Sequence, residues 1–270
     1  HGGTEQFGAF SYKPGFAINP LKFVNGIAKY ALSKKLKIFE HTKVDKIDKE
    51  NSSYILRTKE GSIRSKKIVV ATNGFYQEGL IPQMDGRVLP VISNIIVTRK
   101  LNEDELNAHN FKTFSPIANT KNLLYYYRKL PDNRILFGTR GDLTGSDQSN
   151  LAMSKKMEKF LKNIFPKWSN VTIDYNWRGL IALSQKLTPS IGKIDNEEIY
   201  YGFGYNGVGV SAAPWTGKQL SKLVFSSNSK ELDISKIYKG LPKKFIFPQL
   251  RTFYFRLAVW FYAIKDKLNI

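Results

Sequence analysis

Apolar positions along this chain follow two periods, and the switches between them mark its elements. Val24, Ile27, Ala28 and Ala31 recur at three- and four-residue steps, which predicts a helix over 21–34 with that stripe buried. Leu151, Met157, Phe160, Leu161 and Ile164 predict a second amphipathic helix over 149–164. Alternation over 42–48 and again over 171–177 predicts half-buried strands, and 37–40 reads as another strand. Residues 54–59 and 62–64 read as a hairpin turning at Glu60 and Gly61. The run 67–74 reads as a fully buried strand closing on Asn73 and Gly74, where either a ligand or an ordinary turn fits. Residues 88–101 are β-prone. Residues 123–129 and 134–139 predict a hairpin about Pro131, Asp132 and Asn133, with Tyr125 and Tyr127 on one face and Tyr126 on the other. Residues 1–20 are loop-like, a polar linker follows Phe225, and 250–268 reads as a helix whose apolar run Arg251 and Arg256 interrupt.

The most informative stretch is 200–224. A short β-prone run enters a turn with glycines at 202, 204, 207 and 209, and Val210, Ala213, Gly217, Leu220 and Val224 then recur at helical spacing. A strand, a turn without side chains and a helix start bring unpaired N–H groups and partial positive charge to one place. That suits an electron-rich ligand, although a tight connection alone would also use such glycines. It is not a dinucleotide fingerprint, since no strand, Gly-x-Gly-x-x-Gly and helix unit with a following acid stands earlier in the chain.

Composition narrows the chemistry. Without cysteine there is no disulfide, thiolate ligand, cysteine nucleophile or cysteinyl cofactor link, and three histidines, one of them His1, argue against a metal centre. The formal net charge of +20 comes from lysines spread in pairs, which suits a basic composition better than a dedicated polyanion site. No nucleic-acid motif accompanies it. No leader-like start and no bilayer-spanning run are visible, so the expectation is a cytoplasmic protein whose aromatic tail either packs on its own domain or lies on a membrane surface.

Five stretches in order resemble one family: NPLKFVNGIA at 19–28; FEHTKV at 39–44 with IVVATNG at 68–74; LYYYR at 124–128 with RILFG at 134–138, Arg140 and Gly141; WRGLIAL at 177–183 with TPSIG at 188–192; and GYNGVGV at 204–210. The tail is similar too, at Phe247, Leu250 with Arg251, and 265–268. The chain resembles the FAD-dependent amine and amino-acid oxidoreductases of the D-amino-acid oxidase superfamily, in particular the gamma-glutamylputrescine oxidase-like branch, over nearly its whole length. It departs in having Val208 where members often carry histidine or arginine, and in lacking the family's N-terminal phosphate-binding unit, so that it looks like the C-terminal two thirds of such an enzyme.

The resemblance implies an α/β (α+β) fold: part of a FAD-binding Rossmann-like domain, with a mainly antiparallel substrate-domain sheet inserted. Residues 1–78 and 177–226 would form the FAD-domain segments, 79–176 the substrate sheet and 227–270 a tail. It implies non-covalent FAD and oxidation of a C–N bond in a small amine or amino acid. Hydride would pass from the carbon beside nitrogen to flavin N5, and oxygen or an electron-transfer partner would take the electrons. Unpaired N–H groups around Asn206 to Val210 would stabilise charge on the reduced ring. Cofactor contacts would come from Val44, from Ala71, Thr72, Asn73 and Gly74, from Trp177 and Gly179, and from Gly204, Tyr205, Asn206, Gly207, Val208, Gly209 and Val210. Tyr126, Arg128 and Arg140 would face the substrate, the arginines offering forks suited to a carboxylate. A non-catalytic remnant of such an enzyme, or a basic module for membrane surfaces or nucleic acid, stays open beside this reading.

Overall fold

A computed structural model describes residues 8–13, 15–140, 142, 145–225 and 234–268 of the chain. Gly141, most of the linker after Phe225 and the first seven residues lie outside them. In chain order the elements are α1 (Pro20–Ser33), β1 (Val44–Glu50), β2 (Ser53–Thr58), β3 (Ser62–Ser65), β4 (Ile68–Val70), β5 (Leu89–Thr98), α2 (Glu103–Ala108), β6 (Ile117–Ala118), β7 (Tyr125–Lys129), β8 (Ile135–Arg140), α3 (Asp147–Ile164), β9 (Ile173–Leu183), β10 (Ser190–Lys193), β11 (Ile199–Phe203), α4 (Gly209–Phe225) and α5 (Arg251–Leu268). Residues 19–91 and 181–252 form one compact unit. Residues 92–180, with the segments before 19 and after 252, form the other.

In the first unit β11 lies between β10, antiparallel to it, and β4, parallel to it. All five residues of β11 are buried. Ile68, Val70, Tyr201 and Phe203 share one apolar cluster with Met84 and Ala182. Leu220 and Leu223 of α4 cover Tyr200 and Ile191 on another. The helix comes so close to the sheet that a Cβ on Gly202 would stand 2.5 Å from the Thr216 methyl and 2.8 Å from Leu220, so only glycine fits there. A second sheet, β1-β2-β3, holds the expected hairpin, with the Thr58 N–H donating to the Gly61 carbonyl at 2.8 Å.

Three expectations for this unit are corrected. The helix at 20–33 forms, started by Asn19, whose side chain accepts the Lys22 N–H at 3.0 Å, and by Pro20 in its first turn. Its apolar stripe is not buried, however, and Val24 is 58% exposed. Residues 37–40 form no strand, because no neighbouring strand among the described residues supplies the ladder. The strand at 68–70 is covered on one face only, leaving Val69 47% exposed.

In the second unit the sheet order is β6-β7-β8-β5-β9, and β7 and β8 are the expected tyrosine hairpin. Ile96, Tyr127, Ile135 and Phe137 bury one face against Met153, Met157, Leu161 and Ile164 of α3 and against Phe165 and Trp168. Leu151 does not join them and is 59% exposed, and Met153 takes the inward place in that turn. The short α2 is fixed by a capping box: Asn102 accepts the Glu105 N–H at 2.8 Å while Glu105 accepts the Asn102 N–H at 2.9 Å.

Candidate functional site

The bend between β11 and α4 is built by one asparagine and two glycines in the left-handed region. Gly204 (φ 77°), Asn206 (φ 51°) and Gly207 (φ 100°) reverse the chain within four residues, and Asn73 (φ 48°) after β4 shares that conformation. Asn206 holds it from three sides. Its N–H donates to the Ala182 carbonyl at 3.0 Å, its Oδ1 accepts the Ser184 N–H at 3.0 Å, and its Nδ2 donates to the Gly204 carbonyl. Tyr205 is buried beneath the bend, where desolvation raises its phenol pKa, and its hydroxyl donates to the Gly202 carbonyl at 3.4 Å.

These bonds decide which backbone donors are spare. The N–H of Asn206 is used, and that of Val208 donates to the Tyr205 carbonyl at 2.9 Å. The expectation of unpaired amides from 206 to 210 is therefore corrected at those two residues. The N–H groups of Gly207, Gly209 and Val210 have no acceptor among the described residues. All three stand in the bend or in the first turn of the 17-residue α4, where the helix dipole adds partial positive charge. Among the described residues no side chain closes this place: Gly207 is exposed, and Val208 and Val210 are each 57% exposed.

Because β4 and β11 run parallel, their carboxyl ends emerge side by side. The Asn73 Oδ1 accepts the Gly204 N–H at 3.0 Å and locks one end to the other. Ala71, Thr72, Asn73 and Gly74 thus stand beside Gly204 to Val210, with Ala71 and Thr72 exposed and Gly74 buried in a short 3₁₀ turn. Val44 opens β1 in the same unit, next to an irregularity in its pairing with β2. Ser184 was not anticipated from sequence. Its buried hydroxyl has no hydrogen-bond partner among the described residues and lies 3.4 Å from where a Gly204 Cβ would stand. No local pattern marks it, since its partner Asn206 is 22 residues away.

The second unit carries the other candidates. Tyr126, Arg128 and Arg140 occupy one face of the β7–β8 sheet, opposite the core face of Tyr125 and Tyr127. The Tyr126 ring lies flat over Gly138, where a Cβ would meet it at 2.2 Å. Its hydroxyl is 2.9 Å from that of Ser93. Burial raises the Tyr126 pKa, against the lowering effect of Ser93 and of the Arg140 charge. Arg128 spends one guanidinium nitrogen on the Ile18 carbonyl at 3.0 Å. On β9, Trp177 is partly exposed and Gly179 has open space where a Cβ would be.

A flat, electron-rich ring edge fits the bend at 204–210, which offers spare N–H donors, no side chain over Gly207, and a positive helix end. The gamma-glutamylputrescine oxidoreductase of Escherichia coli (strain K12) is 28% identical over 266 residues, covering 97% of this chain and 60% of that protein. A probable oxidoreductase OrdL of Haemophilus influenzae is 28% identical over 260 residues, covering 93% and 56%. The chain thus spans less than two thirds of the length of these curated relatives. Among solved structures, L-proline dehydrogenase from P. horikoshii superposes with a TM-score of 0.62 at 21% identity, over 76% of this chain and 55% of that one, which speaks for the fold. The sequence pattern of one family matches residues 3–223, and the chain accordingly belongs to the FAD dependent oxidoreductase (DAO) family.

Proposed function

We propose that this chain forms the flavin-ring and substrate-facing parts of an oxidoreductase that oxidises the C–N bond of a small amine or amino acid with non-covalent FAD. The observation that carries this is the bend at Gly204–Val210, with three spare N–H donors at the start of α4 and the ends of two parallel strands beside it. Gly207, Gly209 and Val210 would hold the electron-accepting edge of the ring and stabilise negative charge there. When bound, FAD supplies hydride acceptance, which the side chains of this protein cannot provide. Asn73 and Asn206 keep the donors in place, and Ala71, Thr72, Gly74 and Val44 line the cofactor. The spare Ser184 hydroxyl is one further polar group beneath Gly204.

On the sheet face of the second unit, Arg140, Tyr126 and Arg128 would orient the substrate, whereas Trp177 and Gly179 on β9 would serve the cofactor. The names of the relatives, which refer to gamma-glutamylputrescine and L-proline, support an amine or amino acid as substrate. The arginines suit its carboxylate. Oxygen or an electron-transfer partner would accept the electrons. The test is a titration of the full chain with FAD, followed by flavin absorbance and by quenching of flavin fluorescence. Binding at micromolar concentration or tighter, with a yellow complex, is expected. A chain indifferent to FAD would overturn the reading in favour of a non-catalytic remnant.

A further inference from the structure

The helix α5 keeps one face for its own unit and leaves the other bare. Asp266 docks it: one carboxylate oxygen accepts the Asn122 N–H and side-chain amide, each at 2.8 Å, and the other accepts the Leu123 N–H at 2.8 Å. Phe255, Ala258 and Val259 project to the same side and are half-buried. At 100° per residue, Phe253, Leu257, Trp260, Ile264 and Leu268 fall on the opposite side as one stripe, with Phe261 beside it. Every one of these six is exposed, Trp260 by 66%, and α5 has no fully buried residue. Arg256 and Lys267 border the stripe on one edge, and Tyr254 and Lys265 on the other, with the Lys265 ammonium 5.8 Å from the Phe261 ring. The only carboxylate of the helix, Asp266, faces away from it.

We propose that this face lies in the surface of an anionic lipid bilayer. An apolar stripe rich in aromatic residues and edged by cations is the pattern of a helix resting in the headgroup layer, with its cations on lipid phosphates. The helix lies on the bilayer and does not cross it, since none among the described residues is long and apolar enough to span one. The charge favours this occupant: Arg256, Lys265 and Lys267 edge the stripe while Arg251 is paired with Glu78 at 2.6 Å, and the chain has a net charge of +20. A neutral protein surface would gain nothing from that balance, whereas an anionic membrane attracts it over a Debye length before the aromatics insert. The flavin reading neither requires this contact nor is required by it.

Co-sedimentation of the full chain with phosphatidylglycerol–phosphatidylcholine vesicles, and with phosphatidylcholine vesicles alone, tests the proposal. Binding to the anionic vesicles, weakened by salt and at least about tenfold weaker to the zwitterionic ones, is expected. The uncharged double substitution Leu257→Ser with Trp260→Ser should lower binding to the anionic vesicles about tenfold at unchanged net charge. Equal binding by this variant would show mere adsorption of a basic protein and overturn the proposal. Trp260→Phe guards against misfolding. It should bind like the parent chain yet lose the part of the tryptophan emission that brominated lipid quenches, and undiminished quenching would overturn the proposal as well. No binding to anionic vesicles at low salt, together with a dimer that the double variant dissociates, would assign the face to a second copy of the chain instead.

Discussion

The Asn73 side chain accepts the Gly204 N–H at 3.0 Å, so the ends of two parallel strands that are 131 residues apart in the chain are held by one hydrogen bond. Asn73 itself sits at φ 48°, a conformation that asparagine tolerates and alanine does not. Asn73→Ala should therefore lose about 1 kcal/mol for the bond and about 1 kcal/mol more for the backbone. Asn73→Gly should lose only the first part. Both should weaken FAD binding to a similar degree, because both free the start of the bend. Thermal denaturation and FAD titration of the two variants separate the terms. If Asn73→Gly binds FAD like the parent chain, the bond does not position the site.

Gly209 offers a cleaner probe of the spare amides. Its φ is not in the left-handed region, and an added Cβ would meet only Tyr205, at 3.5 Å. Gly209→Ala should thus be neutral or stabilising by up to about 1 kcal/mol in the first turn of α4. The added methyl would still stand beside an N–H assigned to the flavin edge, so FAD affinity should fall about tenfold or more while stability holds. Gly207→Ala, at φ 100°, should instead damage both. Unchanged affinity in Gly209→Ala, read by flavin fluorescence, would remove these amides from the cofactor site.

What could be read from sequence, and what could not, divides along one physical line. Glycine clusters and side-chain period are local, so the strand, bend and helix at 199–225, the tyrosine hairpin and the helix at 147–164 were all legible. Period shows that a helix has an apolar face and does not show what covers it. That is why Val24 and Leu151 read as core and are exposed. Residues 37–40 failed for a related reason, since an apolar run becomes a strand only beside a partner. The roles of Asn206 and Ser184 were hidden because their bonds join residues 22 or more positions apart. The same bonds decided which of the expected amides were already used.

On the substrate face, Gly138 and Tyr126 are coupled by contact. Any side chain at 138 must displace a ring that lies 2.2 Å from the Cβ position. Gly138→Ala should therefore move Tyr126 off Ser93 and cost about 1–3 kcal/mol as overpacking. Tyr126→Phe removes the hydroxyl contact with little change in shape. If this face orients substrate, Arg140→Ala and Tyr126→Phe should raise KM for an amine or amino-acid substrate more than they lower kcat, and FAD affinity should stay unchanged. A panel of small amines and amino acids, assayed with an artificial electron acceptor, gives the readout. Equal KM across the parent chain and both variants would take these residues out of substrate binding.

Part of the acid sensitivity should trace to the pair of Arg99 with Glu105, whose carboxyl is held far below its ordinary value. Two nitrogens of Arg99 donate to the two carboxylate oxygens of Glu105 at 2.9 and 2.6 Å, and the Asn102 N–H adds a third bond. The guanidinium first, and then the Asn102 bond and the Arg99 charge, outweigh desolvation and hold the Glu105 carboxyl down at about 2, against an ordinary value of 4.5. A carboxyl depressed by folding adds stability that is fully present above its unfolded value and is lost as pH falls towards the folded one. The window is thus from about 4.5 down to about 2. Because the pair is partly open to solvent, its worth is on the order of 1–2 kcal/mol rather than the full linkage value. Glu105→Gln should be less stable than the parent chain by that amount at neutral pH, and the gap should close as the solution is acidified through this window. Urea denaturation at several pH values measures it. A gap that stays constant from neutral pH down to about pH 3 would show that Glu105 matters only as the cap of α2 and not as a charge.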